Sequence, residues 1–380
     1  MDKCIYSKYC GGCSMQGISY PKQLEMKQEH ASNLLKKFGN VEEIIGCKHP
    51  TNYRNKVQVS FGYDDKRRLI CGNYVSSTHM IVPIKECMIV DERANELIDS
   101  VLRIATKYKI SAFDEYSYKG CLRHLLIRTS NLGEAMLVLV TGSFNINKKE
   151  QFIRDILKYN PYVTTIVQNF NNKHTSMILG DKSTVLYGKG YIKDELCGLE
   201  FKISPSSFYQ INRFQTEVLY NTALSLADFK GNETIIDAYC GTGTIGMIAS
   251  KSVKRVLGVE LNSFAIKDAI KNAKYNKIDN IEFVCDDAGH YMENMTKNHL
   301  HLDVLIMDPP RSGASIKFLK SVLRLKPKKI IYISCGIESL RDNLSFLTRD
   351  AYSVKTIQPV DMFPYTSVGH VENIVVLERK

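Results

Sequence analysis

The sequence predicts a two-part α/β protein, with a doubly wound sheet in the C-terminal half and a strand-rich α+β region before it. From about residue 214 onward, short β-rich runs alternate with helical segments, which is typical of a doubly wound parallel sheet. Between about 56 and 199, β-rich runs instead follow one another and are separated by Gly, Asn and Asp. We therefore predict two domains, 1–200 and 201–380, joined by the segment 204–212.

The individual elements follow from local patterns of apolar residues. An amphipathic helix is predicted over residues 21–38, because Pro21 suits a first helical turn and Gly39 suits an end. The first domain has the strands VQVSFGY, HLLIRTS, AMLVLVTG, TTIVQNF and STVLYG, with helices over 88–107 and 148–158. The second has a helix over 214–229 and then, with helices between them, the strands ETIIDAY, RVLGVEL, IEFVCD, DVLIMD, KIIYISC and VENIVVLERK.

The composition indicates a basic protein without membrane or secretion signals. The 380 residues carry a formal net charge of +11, mostly in the first half. Such an excess favours a polyanionic partner such as nucleic acid, although a merely basic protein explains it equally well. No apolar run approaches the roughly 18 residues of a membrane span, and the N-terminus has no apolar signal region. We therefore expect a cytoplasmic protein with no membrane partner.

A glycine-rich turn after the strand ETIIDAY marks a candidate cofactor site. The turn reads GTGTIG, and its first glycines, Gly241 and Gly243, let the backbone approach a ligand closely between a strand and a helix. The next strand ends at Glu260, whose carboxylate can accept hydrogen bonds from the ribose hydroxyls of an adenosine. These features alone do not separate NAD from S-adenosylmethionine.

Two further acidic strand ends favour S-adenosylmethionine. The third strand ends at Asp286 and Asp287, where a carboxylate can accept from the adenine amino group. The fourth ends at Asp308, and the two prolines that follow make a stiff turn. One such feature alone is often plain turn chemistry. Because open α/β sheets bind ligands at the carboxyl ends of their strands, we interpret four in order as a methyl-donor site.

A thiol at the same edge is a candidate nucleophile. The strand KKIIYIS ends at Cys335, and although a lone cysteine is most often structural, one at the mouth of a ligand crevice can attack an electrophile as a thiolate. Glu372, at the entry to the last strand, is the candidate base, and His370 is a competitor. From the local sequence alone, a surface carboxylate is the simpler interpretation of Glu372.

Four cysteines form a candidate metal site. Cys4, Cys10 and Cys13 have the spacing C-x5-C-x2-C, and Cys87 lies further along. Three close thiols with a distant fourth can hold a [4Fe–4S] cluster or a zinc ion, and unliganded thiols are the third alternative. The chain has 11 cysteines at uneven spacing. In a reducing compartment we expect no disulfides among them.

The motifs together resemble one known family from Cys4 to the C-terminus. The chain is similar to the bacterial RNA (uracil-5-)-methyltransferases, and specifically to their iron–sulfur branch, which acts on 23S ribosomal RNA. The matching motifs are the cysteine spacing with Cys87, SPSSFYQIN at 204–212, DAYCGTG at 237–243, DPPR at 308–311, ISC at 333–335 and HVE at 370–372.

The resemblance implies a class I methyltransferase fold in which Cys335 is the nucleophile and Glu372 the base. It implies that the four cysteines hold [4Fe–4S] rather than zinc, and that Phe208 lies near a flipped target base. The implied S-adenosylmethionine contacts are Gln210, Tyr239, Glu260 and Asp308. In the stretch CLRHLLIR, the implied RNA contacts are Arg123, His124 and Arg128.

A thiol and a base are what methylation of uracil carbon 5 requires. Carbon 5 becomes nucleophilic once a thiolate adds to carbon 6, and a base must then remove the carbon-5 proton before the thiol leaves. We therefore predict a monomeric enzyme that methylates a specific uridine of 23S ribosomal RNA, with transfer RNA as the nearest alternative. Many relatives carry a small β-barrel RNA-binding domain before the cysteines. We expect a short form without it, whose basic first domain supplies most of the RNA affinity.

Two other functions remain open from the sequence. An amino-group RNA methyltransferase would use Asp308 and its two prolines but would not need Cys335 or Glu372, because an amino nitrogen attacks the methyl group directly. A non-enzymatic iron–sulfur sensor that binds nucleic acid would not need a complete methyl-donor site.

Overall fold

The computed structural model describes residues 4–75, 78, 80–298 and 300–380, and the chain divides into two compact units. Unit 1 comprises the described residues of 1–17, 49–195 and 201–206. Unit 2 comprises 18–48, 196–200 and 207–380. No described helix is long and apolar enough to cross a membrane.

Helices and strands occupy these bounds along the chain. The helices are α1 (Tyr20–Leu35), α2 (Glu92–Lys107), α3 (Lys149–Tyr159), α4 (Arg213–Ala227), α5 (Thr244–Ala249), α6 (Ser263–Tyr275), α7 (Ala288–Lys297), α8 (Ile316–Leu325) and α9 (Ile337–Leu347). The strands are β1 (Lys56–Tyr63), β2 (Leu69–Tyr74), β3 (Ile81–Pro83), β4 (Leu122–Thr129), β5 (Ala135–Thr141), β6 (Val163–Phe170), β7 (Lys182–Tyr187), β8 (Ile192–Leu196), β9 (Leu199–Ile203), β10 (Thr234–Ala238), β11 (Arg255–Glu260), β12 (Ile281–Cys285), β13 (Val304–Met307), β14 (Lys329–Ser334), β15 (Tyr352–Val360) and β16 (Glu372–Arg379).

A seven-stranded mixed sheet forms the centre of unit 1. Its strand order is β3-β2-β1-β4-β5-β6-β7. Neighbouring strands are antiparallel except for β5 and β6, which are parallel. β4 and β5 are buried along their whole length, and α2 packs against β2, β4 and α3. The predicted strand-rich α+β region is therefore confirmed.

Unit 2 has the doubly wound sheet that the sequence predicts. Its order is β12-β11-β10-β13-β14-β16-β15, with β10 to β14 parallel and the last two strands antiparallel to their neighbours. The strand order reverses between β10 and β13, which is where open α/β sheets bind ligands. Its hydrophobic core takes in residues of α1, α7, α8 and α9 and the central strands.

Two observed boundaries differ from the predicted ones. The predicted single division at residue 200 differs from the observed units, because α1 packs on α9 and β15 and the segment 18–48 therefore belongs to unit 2. The predicted helix over 88–107 begins at Glu92, since the side chain of Asp91 accepts the backbone N–H of Arg93 and caps the first turn. β2, β3, β8, β9 and β15 were not predicted.

Candidate active site

The residues expected at the methyl-donor site in unit 2 follow the carboxyl ends of neighbouring parallel strands. Tyr239 follows β10, Glu260 ends β11, Asp287 follows β12 and Asp308 follows β13. Because parallel strands end at the same edge of a sheet, these four positions line one edge. The strand order reverses between β10 and β13, in the middle of this edge. Open α/β sheets bind cofactors at such a point.

The glycine turn after β10 has the backbone conformation that glycine favours. Gly241 and Gly243 have φ angles of 55° and 76°, in the left-handed region. A Cβ atom on Gly243 would lie 2.5 Å from the ring of Phe283, so a larger residue does not fit. The N–H of Gly241 donates to Oε2 of Glu260 at 3.1 Å, and that of Asn262 donates to Oε1 at 2.8 Å. Glu260 is thereby held beside the turn.

Asp237 is a buried carboxyl behind the same turn. It is fully buried, and the N–H of Gly246 donates to its Oδ2 at 2.8 Å. A Cβ atom on Gly246 would lie 2.8 Å from that oxygen, so this close contact requires glycine. Burial raises the pKa of Asp237 to about 7, and the nearby charges of Asp308 and Glu260 contribute to the rise. Asp237 lies in a motif that the sequence singled out, but no role was predicted for it.

Tyr220 links the donor-site residues from helix α4. Its side chain is 2% exposed, and its hydroxyl hydrogen-bonds to the side chains of Thr244 and Gln210. Burial is the main cause that raises the pKa of this hydroxyl, and the charge of Asp308 adds to it. Gln210 is therefore held close to the acidic edge by a buried tyrosine. The sequence gave no signal for Tyr220, because a tyrosine on a half-buried helix is most often a core residue.

Cys335 directly follows β14, and Glu372 begins the neighbouring strand β16 at the same edge. β14 and β16 are antiparallel, and Ser334 is paired with Asn373. Cys335 follows Ser334, and Glu372 precedes Asn373. Because the strands are antiparallel, Cys335 and Glu372 therefore lie side by side. The side chain of Glu372 is only 4% exposed, and its Oε2 has no hydrogen-bond partner among the described residues. The candidate nucleophile and the candidate base are thus brought together.

The pKa values of this pair are raised by their surroundings. Burial raises the pKa of Glu372 well above its usual range, and the nearby charge of Asp308 acts in the same direction. Burial also raises the pKa of Asp308 to about 7. The pKa of Cys335 is raised to about 12, first by burial and then by the charges of Glu372 and Asp308. At neutral pH Cys335 is therefore a thiol unless the local charge changes.

Arg311 is the cation that acts against this negative charge. It lowers the pKa of both Cys335 and Glu372, although burial outweighs it in each case. Its Nη1 donates to Nε2 of His370 at 2.8 Å, which occupies the ring nitrogen that a competing base would need. A Cβ atom on Gly336 would lie 2.2 Å from the carbonyl oxygen of Arg311, so the turn after β13 lies directly against the turn that follows Cys335.

A buried ion pair holds the loop that leads into Glu372. Nζ of Lys27, on α1, donates to Oδ1 of Asp361 at 2.6 Å, and both side chains are fully buried. The same ammonium donates to the carbonyl oxygens of Phe363 at 2.9 Å and His370 at 3.4 Å. This helix therefore fixes the path of the chain just before the candidate base, which the sequence did not reveal.

The other two predicted residues of unit 2 lie near the glycine turn and at a helix terminus. Phe208 is 65% exposed, its carbonyl oxygen accepts from Oγ1 of Thr242 at 3.2 Å, and its ring lies beside Gly241. Asp287 caps helix α7 by accepting the N–H of His290 at 2.9 Å. The predicted contacts of Phe208 with a base and of Asp287 with adenine stay predictions.

In unit 1, Arg123 and His124 are buried within β4. Arg123 is 4% exposed, lies 2.7 Å from Oε1 of Glu115 and donates to three backbone carbonyl oxygens. Nδ1 of His124 lies 3.0 Å from Oγ of Ser60, and burial lowers the pKa of His124 to about 4. Both side chains are engaged within the protein, and their predicted RNA contacts stay predictions.

Arg128 belongs to a group of three cations in unit 1. Burial lowers the pKa of Lys56 to about 8, and repulsion from Arg128 and Arg54 contributes. An anion bound among these residues would relieve that repulsion. Arg128 lies on β4 and is buried, and Lys56 begins β1, so the predicted contact of Arg128 with RNA stays a prediction.

The four cysteines of the predicted metal site all lie in unit 1. Burial raises the pKa of Cys13 to about 11, and Cys87, Cys10 and Cys4 contribute to the rise. Burial raises the pKa of Cys87 as well. Among the described residues, no three His, Cys, Asp or Glu side chains converge closely enough to hold one metal ion.

The sheet order, the glycine turn and the acidic strand ends of unit 2 define the class of protein: an S-adenosylmethionine-dependent methyltransferase with a Rossmann-like α/β fold. A family model described as tRNA (Uracil-5-)-methyltransferase matches residues 180–380. The chain belongs to this family.

Individual relatives and one solved structure agree with this assignment. The chain is 40% identical to an RNA methyltransferase of Halalkalibacterium halodurans over 99% of its own length and 83% of the relative's. It is 39% identical to an RNA methyltransferase of Clostridium tetani, over 98% and 81% of the two chains. The Pyrococcus abyssi tRNA (uracil-54, C5)-methyltransferase, solved with S-adenosyl-L-homocysteine, has a TM-score of 0.78 and 26% identity, covering 97% of this chain and 86% of that one.

Proposed function

We propose that the chain transfers a methyl group from S-adenosylmethionine to carbon 5 of a uridine in 23S ribosomal RNA, through a covalent bond between Cys335 and carbon 6. The observation that carries this proposal is the strand register, which brings Cys335 and Glu372 together beside Asp308. An amino-group methyltransferase has no use for that pair. The 23S target follows from the resemblance of the cysteine motif to the iron–sulfur branch.

The acidic edge of unit 2 fits S-adenosylmethionine, which supplies an electrophilic methyl group on a sulfonium cation. Asp237 and Asp308 have pKa values near 7, so a cation bound nearby would favour their charged forms. Glu260 would accept from the ribose hydroxyls, and Gln210 and Tyr239 would orient the donor. Gly241, where a Cβ atom would meet no neighbour closer than 4.0 Å, would leave room for the ligand at the turn, and Gly243 would keep the turn close to Phe283.

Cys335 would begin the reaction by losing its thiol proton to solvent, and the resulting thiolate would add to carbon 6 of the uracil. The electron pair of the carbon 5–carbon 6 double bond moves onto the ring carbonyl oxygen as an enolate. Carbon 5 then forms its bond to the methyl group as the methyl–sulfur bond breaks. Arg311 is the cation that opposes the raised pKa of Cys335. Phe208, exposed beside Gly241, would stack on the extruded base.

Glu372 would complete the reaction as the base. It removes the proton from carbon 5, the double bond re-forms, and the sulfur of Cys335 leaves carbon 6. Burial suits Glu372 to this role, because a carboxylate with a raised pKa is a stronger base than an exposed one. Its Oε2 has no hydrogen-bond partner among the described residues and would be the atom that accepts the carbon-5 proton.

Four thiols in unit 1 would hold a [4Fe–4S] cluster, which would link the N-terminal segment to the strand-rich sheet. Cys4, Cys10, Cys13 and Cys87 are the thiols that this proposal assigns to the cluster, and its support is the resemblance of their spacing to the iron–sulfur branch. Among the described residues they do not converge closely enough to hold one metal ion. We propose a cytoplasmic monomer whose unit 1 provides RNA affinity, with Arg128 among its contacts.

The decisive experiment compares Cys335→Ala with Cys285→Ala, which removes an exposed thiol at the end of β12. Each purified variant is incubated with 23S ribosomal RNA or transfer RNA and labelled S-adenosylmethionine, and the nucleosides are identified by mass spectrometry. We expect 5-methyluridine in 23S RNA from the parent and Cys285→Ala, and none from Cys335→Ala. Full activity of Cys335→Ala would refute the covalent mechanism.

Transfer RNA is the second candidate substrate. The matched family is described by its tRNA activity, and the Pyrococcus abyssi enzyme acts on tRNA. The same experiment decides between the two RNAs, because each is supplied separately. Methylation of transfer RNA alone would replace the 23S assignment and leave the chemistry of Cys335 and Glu372 in place.

A further inference from the structure

Unit 1 contains an open cleft with an apolar floor and a rim that carries four cations and two carboxylates, Asp64 and Asp99. Its volume is about 740 Å³, which is within the range of ligand-binding clefts. Ile98 and Leu102 of α2 and the buried Ile110 form part of the floor. No role in the methylation chemistry falls on these residues.

Three cations on the rim have no described ion pair. Arg67, Lys85 and Lys109 all line the cleft and are exposed to solvent. None of them takes part in an ion pair among the described residues, whereas Arg68 beside them is bound to Asp64 at 2.7 Å. Three cations without a carboxylate partner are available to phosphate groups.

An aromatic ring also lines this cleft. Tyr63 is 51% exposed, and its hydroxyl accepts the backbone N–H of Ala112 at 3.1 Å. That hydrogen bond holds the ring in place and leaves half of its surface open. Aromatic side chains next to a basic groove are the combination that binds single-stranded nucleic acid, since bases stack on the ring while cations follow the phosphates.

We propose that this cleft binds an unpaired segment of the RNA substrate, with a base against Tyr63 and phosphates on Arg67, Lys85 and Lys109. The proposal rests on the proposed RNA methyltransferase function and assigns a place on unit 1 to the substrate. It explains why basic residues gather there while Arg123, on β4, is occupied by Glu115. The segment lies outside the target uridine, which meets Cys335.

The cleft is also connected to the cysteine motif. The backbone N–H of Lys85 donates to the hydroxyl of Tyr6 at 3.1 Å, and Tyr6 lies between Cys4 and Cys10. One side of the rim is therefore held by the N-terminal segment.

The test is direct binding of a fluorescein-labelled, uridine-rich oligoribonucleotide to the full chain, by anisotropy over a range of salt concentrations. The variant combines Arg67→Asn, Lys85→Ala and Lys109→Asn. Asn is chosen at two positions because Arg67 and Lys109 have positive φ angles, which Asn tolerates. Losing three phosphate contacts should weaken binding roughly ten- to hundredfold and reduce the salt slope by about 2. Tyr63→Leu should weaken it roughly tenfold with an unchanged slope.

A matched control removes the same charge elsewhere in unit 1. Lys158→Gln, Lys182→Gln and Lys189→Gln lie on α3, on β7 and just after β7, at exposed positions outside the cleft. This variant should keep the affinity of the parent. The proposal would be overturned if both triple variants weakened RNA binding equally, or if the cleft variant did not weaken it. It would also be overturned if free uridine monophosphate, which lacks the neighbouring phosphates, competed as well as the oligoribonucleotide does.

The readouts also separate this inference from the proposed function. Binding is measured without methyl transfer, so a parent that binds RNA through the cleft but forms no 5-methyluridine would refute the function alone. A parent that methylates RNA while the cleft variant binds it equally well would refute the inference alone. With saturating RNA the cleft variant should keep the kcat of the parent and show only a raised KM.

Discussion

Binding of S-adenosylmethionine should depend on pH through Asp308, and Asp308→Asn should remove most of that dependence. Burial raises the pKa of this carboxyl to about 7. In about half of the free protein molecules it is therefore protonated at neutral pH. A sulfonium cation bound beside it favours the carboxylate. Because the bound state holds fewer protons than the free state, affinity should increase as the pH rises.

The size of the effect follows from that pKa. We take the bound cation to return the pKa of Asp308 to its usual range, near 4. At pH 6 roughly nine free protein molecules in ten must then lose a proton from Asp308 on binding. At pH 8 only roughly one in ten must do so. Affinity should then rise about tenfold between these two pH values, which corresponds to ~1.4 kcal/mol. Asp237 has a similar pKa, so Asp237→Asn is measured in parallel.

Titration calorimetry at pH 6, 7 and 8, in two buffers of different ionisation enthalpy, measures both affinity and proton release. S-adenosylhomocysteine is the matched control, because its sulfur is a neutral thioether and should show a smaller pH dependence. A parent protein whose affinity for S-adenosylmethionine is the same at pH 6 and pH 8 would contradict this account. So would an Asp308→Asn variant that keeps the full dependence, and loss of the dependence in Asp237→Asn alone would assign the effect to Asp237.

Three further predictions test the base, the buried acid and the buried ion pair. Glu372→Gln should lower turnover roughly 10²- to 10⁴-fold and leave a methylated protein–RNA adduct on denaturing gels; normal turnover without an adduct would exclude Glu372 as the base. Asp237 has a folded pKa near 7, so its contribution to stability is present at low pH and is lost as the pH rises through 7. Asp237→Asn should therefore raise the melting temperature at about pH 8.5 but not at about pH 4, and an equal change at both would contradict the assignment. Lys27→Met should cost about 3–5 kcal/mol in urea unfolding, because it leaves Asp361 charged and buried. Lys27→Met with Asp361→Leu should recover much of that loss, and a double variant no more stable than the single one would show that the pair is not the cause.

The sequence predicted those parts of the site that local patterns specify. Strands ending in Glu260 and Asp308 are recognisable because a β-rich run stops at a polar residue, and parallel strands then place such residues at one edge. The glycine turn was recognisable by the spacing of its glycines between a strand and a helix. Cys335 and Glu372 were predicted as nucleophile and base of one reaction, but their adjacency depends on β16 running antiparallel to β14, which no local pattern specifies.

Contacts between distant segments could not be predicted in this way. Lys27 and Asp361 are 334 positions apart, and a lysine on an amphipathic helix is ordinarily exposed. In the sequence, Tyr220 resembles any core aromatic residue, and only the structure shows that its hydroxyl hydrogen-bonds to Gln210. The short strands β2 and β3 were missed because the chain there is broken by Gly72 and Pro83, residues that disfavour strands unless a sheet edge accommodates them.

The raised pKa of Cys335 gives the site an order of binding. A thiol with a pKa near 12 is a poor nucleophile, and Glu372 and Asp308 are the charges that add to the effect of burial. Each acts through its negative charge, so a sulfonium cation at the same edge would offset them and lower the pKa of the thiol. On the proposed mechanism, the thiol of Cys335 would therefore be more reactive with the methyl donor bound than without it. Addition to uracil would then be favoured when the methyl group is at hand to complete the reaction.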